Sequence, residues 1–130
     1  MIDHLSTYAT SYDATKRFYE AALAPLGSRL DHEIVTTWDP AFPTRRACAF
    51  GPGRSVFWVI EVREPATPRH TAFSAKSRAE VDAFHRAALA AGGRDHGAPG
   101  VRAIYHPNYY GAFVLDPDGN NVEAVCHEPA

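Results

Sequence analysis

Short runs of alternating apolar and polar residues cover most of this chain, and two stretches break that rhythm with apolar residues spaced three and four apart. Residues 2–9 and 69–75 read as strands, and a helix follows each. Ser77 with Glu80 fits an S-x-x-E capping box, and Ser11 holds the equivalent place before the first helix. In the second helix Val81, Phe84 and Ala88 share one face. Gly27 and the pair Gly92–Gly93 end the two helices, and Pro25 breaks the first one early. Extended segments follow at 29–37, 45–50 and 55–62, and again at 101–106, 109–115 and 121–126. "DPDGN" at 116–120 and "GPGR" at 51–54 are turn clusters between strands. Pro40 to Pro43 and Pro65 to Pro68 mark loops.

This grammar repeats. Residues 4–27 align with residues 70–93 at an offset of 66 without a gap, and nine of the 24 positions are identical. His4/His70, Ser11/Ser77, Phe18/Phe84 and Gly27/Gly93 are among them. The period is too long for a solenoid unit. It predicts an α+β fold built from two strand–helix–strand–strand–strand modules, about 1–64 and 69–127, in one domain over 1–130.

Polar residues recur inside the predicted strands at matching places. His4 and His70 open the two modules, and Glu61 and Glu123 lie in their last strands. His4 to Glu61 spans 57 positions and His70 to Glu123 spans 53, which reads as a duplicated His–Glu pair with a four-residue deletion. Each residue alone has a plainer reading: a hydrogen-bonded structural histidine, or a carboxylate paired with an arginine such as Arg63 or Arg102. Four symmetric polar residues are harder to explain that way. If the modules pack about a pseudo-dyad, the four converge, and buried carboxylates are costly unless they are paired or bind a metal. Nitrogen and oxygen donors in this ratio suit Zn, Ni, Co, Mn or Fe rather than Ca or Mg.

Composition narrows the class. The chain has 130 residues, enough for a real core, and is 45% hydrophobic and 22% charged. Thirteen basic against 15 acidic residues leave a formal charge of -2, which offers no electrostatic reason to expect a nucleic-acid partner. No apolar run is long enough to span a membrane, and the N-terminus lacks the pattern of a signal peptide. Cys48 and Cys126 lack zinc-site spacing and read as buried thiols of a cytoplasmic protein.

"DHLSTYA", "RFYEAALAPLG", "RHTAFSA" and above all "FVLDPDGNNVEAV" resemble the vicinal oxygen chelate superfamily, whose members include glyoxalase I, extradiol dioxygenases and bleomycin-binding proteins. The resemblance implies two βαβββ modules forming a curved open mixed sheet around a pocket. It implies one divalent transition metal per chain, held at the positions of His4, Glu61, His70 and Glu123, with Glu123 and Glu61 as the candidate catalytic carboxylates. It implies a small-molecule substrate with vicinal oxygens and a homodimer.

A four-ligand set matches glyoxalase-like lyases and isomerases. A two-His, one-Glu set would match the extradiol type, and a metal-free protein would bind or sequester its ligand. No glutathione-binding signature is present, so a small lyase or isomerase of the type is expected rather than glyoxalase I itself. Tyr8, Trp38, Phe57, Tyr105, Tyr109 and Tyr110, with His106, are candidates for lining the pocket.

Overall fold

The structure is a computed structural model and describes residues 2–66 and 68–130. The first module runs β1 (Leu5–Ala9), α1 (Tyr12–Leu23), a single 3₁₀ turn (Ala24–Leu26), β2 (Arg29–Val35), β3 (Arg46–Gly51) and β4 (Phe57–Glu61). The second runs β5 (His70–Ser74), α2 (Arg78–Ala90), β6 (Arg94–Val101), β7 (Tyr110–Leu115) and β8 (Asn121–Cys126). The two βαβββ modules predicted from the repeat are therefore present.

Each module forms a four-stranded mixed sheet in the same order, β1-β4-β3-β2 and β5-β8-β7-β6. In each, the first and last strands pair in parallel and the remaining pairs are antiparallel. The expected single curved sheet is resolved here into two four-stranded sheets, because no ladder joins them among the described residues.

Local signals account for the helices. Ser77 Oγ accepts from the Glu80 N–H at 3.2 Å, which is the N-cap bond of the expected box, and the Glu80 carboxylate accepts from the N–H of Lys76, one residue before the cap, at 2.7 Å. Ser11 sits at the matching N-cap position but makes no side-chain cap bond. Gly27 ends the first helical run in the left-handed region at φ 82°, which a side chain would strain. Its counterpart in conformation is Gly92, at φ 98°. The sequence-aligned Gly93 serves another purpose: a Cβ there would sit 2.5 Å from Phe18 and from Val114. Gly93 thus lets α1 approach the end of α2.

Strand alternation divides each sheet into two faces. Thr7, Ala9, Cys48, Phe50, Phe57 and Val59 of the first sheet point inward, and so do Phe73, Ala112, Val114, Val122, Ala124 and Cys126 of the second. Both inward faces and both helices belong to one contiguous core containing Tyr12, Phe18, Tyr19, Leu23, Val81, Phe84 and Ala88. Phe57 stacks edge-on against Phe73 across the modules, with ring centroids 5.1 Å apart.

Polar contacts also bridge the halves. The Tyr19 hydroxyl donates to Asp116 Oδ2 at 2.7 Å, and Thr10 donates to Asp118 at 2.8 Å. Asp116 also accepts from the backbone N–H groups of Asp118 and Asn120. The "DPDGN" turn thereby fastens module two to the first helix.

One strand departs from expectation. The extended segment expected at 101–106 instead precedes that window as β6, Arg94–Val101, and residues 103–105 form a turn. Its sequence, "RDHGAPGV", has the Gly and Pro of a loop. Pairing with β7 overrides that weak local preference, at the cost of two register shifts around Gly97.

The link from Tyr19 to Asp116 is directly testable. Tyr19→Phe removes a buried donor while keeping the ring, so Asp116, only 3% exposed, loses its partner from the other module. A stability loss of about 1–3 kcal/mol is expected in urea titrations.

Candidate functional site

With the inward faces filled, chemistry is left to the outward ones. In module two, His70, Asn121, Glu123 and Phe113 share the outward face, as the β5–β8 and β7–β8 registers require. Together with Tyr105, His106, Tyr109 and His127 they line a pocket of about 490 Å³.

Glu123 is the buried charge at its centre, at 2% exposure. Its Oε1 lies 3.2 Å from His70 Nε2, and its Oε2 accepts a hydrogen bond from the Tyr109 hydroxyl. His70 Nδ1 stands 2.9 Å from the Asn121 carbonyl oxygen. A carbonyl only accepts, so Nδ1 carries the proton and the neutral ring has its lone pair on Nε2. Two lone pairs then face each other across 3.2 Å, an arrangement that calls for a proton or a cation between them. Burial first, and the bond to Glu123 second, push the Tyr109 phenol up to about 12, so it remains a donor at neutral pH.

The rest of the pocket is ordered by similar logic. His106 Nδ1 accepts from the Asn108 N–H at 3.1 Å, so its Nε2–H donates to His127 Nδ1 at 2.7 Å. His127 is left with its Nε2–H free of that pair. Asn121 Oδ1 is buried and has no hydrogen-bond partner among the described residues.

Module one uses its outward face differently. His4, just before β1, lines a separate pocket of about 440 Å³ with Ser6, Ile34, Trp38, Ala47, Trp58 and Ile60. His4 Nδ1 is 2.8 Å from Asp3 Oδ2. The carboxylate accepts, so His4 has the tautomer of His70, with Nε2 free.

Pairing within the sheets shows how far the repeat extends. Ser6 pairs with Trp58 in module one, as Ala72 pairs with Glu123 in module two. The counterpart of Glu123 is therefore Trp58, at an offset of 65, and not Glu61. Glu61 pairs with Ala9 and lies on the inward face with Phe57 and Val59. Arg46 holds it there through its backbone N–H (3.0 Å), Nε (3.2 Å) and Nη2 (2.9 Å). The expectation that Glu61 joins a four-residue metal set is thus corrected, for a reason of side-chain parity: it is an odd number of residues from Trp58.

The expected partner type was right for a lone strand carboxylate, but the arginine is Arg46 rather than Arg63 or Arg102. His70 and Glu123 come together, and His4 stays in the other pocket. Among the described residues no three His, Cys, Asp or Glu side chains stand close enough to hold one metal ion.

The aromatic candidates divide cleanly. Tyr105, Tyr109 and His106 line the module-two pocket, and Trp38 lines that of module one. Tyr8 lies under the Arg69 guanidinium, 4.7 Å from its carbon. Phe57 is instead core, packed on Tyr19 and Phe73. Tyr110 also turns from the pocket, donating to Asp82 on α2 at 2.7 Å. Both follow from alternation, since Phe57 shares the face of Val59, and Tyr110 that of Ala112 and Val114. Sequence reasoning missed Phe113, Asn121, Trp58 and His127. Asn121 was within reach, because it stands two residues before Glu123 and so shares its face.

The pair His70–Glu123 fits part of a metal site. Two ligand atoms each about 2.1 Å from one ion stand roughly 3–3.4 Å apart, and His70 has a backbone carbonyl as acceptor for its other ring N–H, as metal ligands commonly do. Among the described residues of this chain no third ligand stands beside the pair.

Glu61 should behave as a structural carboxylate. Hydrogen bonding from Arg46 is the main cause that holds its carboxyl below the usual range. Its contribution to stability is therefore present above the unfolded value of about 4.3 and is lost as pH falls through the depressed folded value. Glu61→Gln should cost about 1 kcal/mol or less at pH 7, since Arg46 is 39% exposed and water screens the pair. The difference from wild type should vanish in acid, as read from melting curves at several pH values, and metal content should not change.

The Glyoxalase/Bleomycin resistance protein/Dioxygenase superfamily model matches residues 1–124. Among solved structures, a glyoxalase/bleomycin resistance protein from Albidiferax ferrireducens T118 is 28% identical, with a TM-score of 0.74 over 99% of each chain. A glyoxalase/bleomycin resistance protein/dioxygenase family enzyme from Burkholderia phytofirmans PsJN is 20% identical, with a TM-score of 0.66 over 97% of this chain and 98% of that one. Lactoylglutathione lyase from Agrobacterium tumefaciens is 20% identical, with a TM-score of 0.64 over 97% of this chain and 92% of that one. No match was found among curated proteins. The span of the family match, together with the paired βαβββ modules, makes this chain a member of the Glyoxalase/Bleomycin resistance protein/Dioxygenase superfamily.

Proposed function

We propose that this protein is a metal-dependent lyase or isomerase of the glyoxalase type, acting on a small molecule with vicinal oxygens. The observation that carries the reading is His70 Nε2 facing buried Glu123 Oε1 at 3.2 Å, with the Tyr109 hydroxyl on the other oxygen. One divalent transition ion per chain (Zn, Ni, Co, Mn or Fe) would be held by His70 and Glu123, with His4 as the third ligand. Such an ion, when bound, supplies polarisation of the substrate's vicinal oxygens. The remaining work falls to the chain's own groups. Glu123 is the sole carboxylate among the residues lining either pocket, so proton abstraction from carbon falls to it. The indoles of Trp38 and Trp58 cover the apolar part of the substrate.

His4 reaches the other two ligands in a homodimer in which the outward face of module one covers module two of a second copy. Two features support this assembly. Each outward face carries part of the ligand set, in its own pocket. Trp38 is 61% exposed and Ile104 87% exposed, large apolar groups that a partner would cover.

A second reading, an extradiol-type dioxygenase, has one specific observation in its favour. With Glu61 bound to Arg46, the set that remains is two histidines and one carboxylate. Oxygen consumption with catechol-like compounds decides between the two.

Metal analysis should give about one ion per chain, and metal should raise the melting temperature of the folded protein. His4→Ala and His70→Ala should each abolish both effects; their persistence would refute the site. Light scattering should give a dimer mass. Mixing the two variants under subunit exchange should restore roughly a quarter of the wild-type metal content, because half the dimers are mixed and each has one intact site. No recovery would argue for a site within one chain. Glu123→Gln should lower kcat by about 10²–10⁴-fold in the substrate assay while the dimer persists.

A further inference from the structure

Glu123 has two oxygens, and only one of them can face His70. We propose that Tyr109 is the positioning residue that selects which one, by holding Oε2 so that Oε1 is presented to the His70 Nε2 lone pair. This inference rests on the metal-site reading above and adds to it a residue that touches neither histidine ligand.

Three observations carry it. The Tyr109 hydroxyl donates to Oε2 while Oε1 stands 3.2 Å from His70 Nε2, so the two oxygens have distinct partners. The Glu123 side chain is 3% exposed, so water is poorly placed to replace the phenol if it is lost. Room for the pair comes from Gly111, which by alternation is on the same side of β7 as Phe113. A Cβ at Gly111 would stand 3.2 Å from Glu123 Oε2 and 3.2 Å from Tyr109 Cε1, tight enough to push against both partners.

The Tyr109 ring is itself braced. It packs edge-on against Tyr105, His106 and His127 at centroid distances of 4.8, 5.5 and 5.3 Å. The hydroxyl is therefore delivered from a fixed ring on the turn before β7 to a carboxylate fixed on β8. A carboxylate so held presents one oxygen in one direction. Freed from Tyr109, it would rotate about its last bond and spend part of its time aimed away from His70.

Tyr109→Phe keeps the ring and its packing and removes only the donor. The test is titration of the metal-free full-length protein with Co(II), followed by visible absorption, for wild type, Tyr109→Phe, Glu123→Gln and the double variant. Tyr109→Phe should weaken Co(II) binding by about 10–100-fold and alter the ligand-field spectrum. In the Glu123→Gln background the same change should add little, since the effect runs through that carboxylate. Gly111→Ala, which crowds the pair without touching the hydroxyl, should weaken binding in the same direction and serves as the test should Tyr109→Phe fail to fold.

Binding by Tyr109→Phe within twofold of wild type overturns the inference and leaves the metal reading standing. So does an equal loss in the presence and absence of Glu123. A wild-type protein that binds no Co(II) overturns both.

Discussion

Both sheets spend one face on the same core, and the remaining architecture follows from that constraint. The helices α1 and α2 each turn one face into that core, which the two modules share. Every strand residue must therefore either join that core or turn outward, with period two and no intermediate choice. A shift of one residue would turn a pocket-lining side chain into a core side chain, which makes register a functional matter here as much as a structural one. The Tyr19–Asp116 and Thr10–Asp118 bonds reinforce the arrangement by tying the β7–β8 turn to the first module.

The two acidic strand residues illustrate how much rests on that parity. Glu123 and Glu61 have similar neighbours in sequence, a short run of valine or isoleucine near the end of a module. Glu123 is on the parity of His70 and becomes the buried centre of a polar pocket. Glu61 is on the parity of Val59 and becomes the anchor of Arg46, which in turn reaches Asp13 and lies over the Tyr12 ring. One is held by a phenol and faces an imidazole. The other is neutralised by a guanidinium. Their chemistry differs because their partners differ, and their partners differ because of one residue of register.

The repeat has accordingly diverged where its function lies. Strand order, helix placement and the two opening histidines are duplicated, and each histidine is oriented through Nδ1 by an oxygen acceptor. The last strands are not duplicated in chemistry: Trp58 stands where module two has Glu123. One outward face is apolar and aromatic, the other polar and charged.

The module grammar, both helices, the Ser77 capping box and the "DPDGN" turn were legible in the residues, because each depends on interactions within a few positions. The repeat and the resemblance singled out His70 and Glu123, but it is the β5–β8 register that places both on one face. The fate of Glu61 was not legible. Its sequence spacing from His4 suggested a duplicated pair, but the length of the β3–β4 connection sets the pairing of β4, and only the assembled sheet shows Trp58 opposite Ser6. Strand β6 was hidden for a related reason: "RDHGAPGV" has no strand preference of its own and is extended because β7 offers it a ladder. Tyr109 was named as a pocket residue, yet its bond to Glu123 joins positions 14 apart through the turn of the chain. Local physics was decided by the sequence alone. Which polar groups meet was decided by long-range pairing, whose register no short window contains.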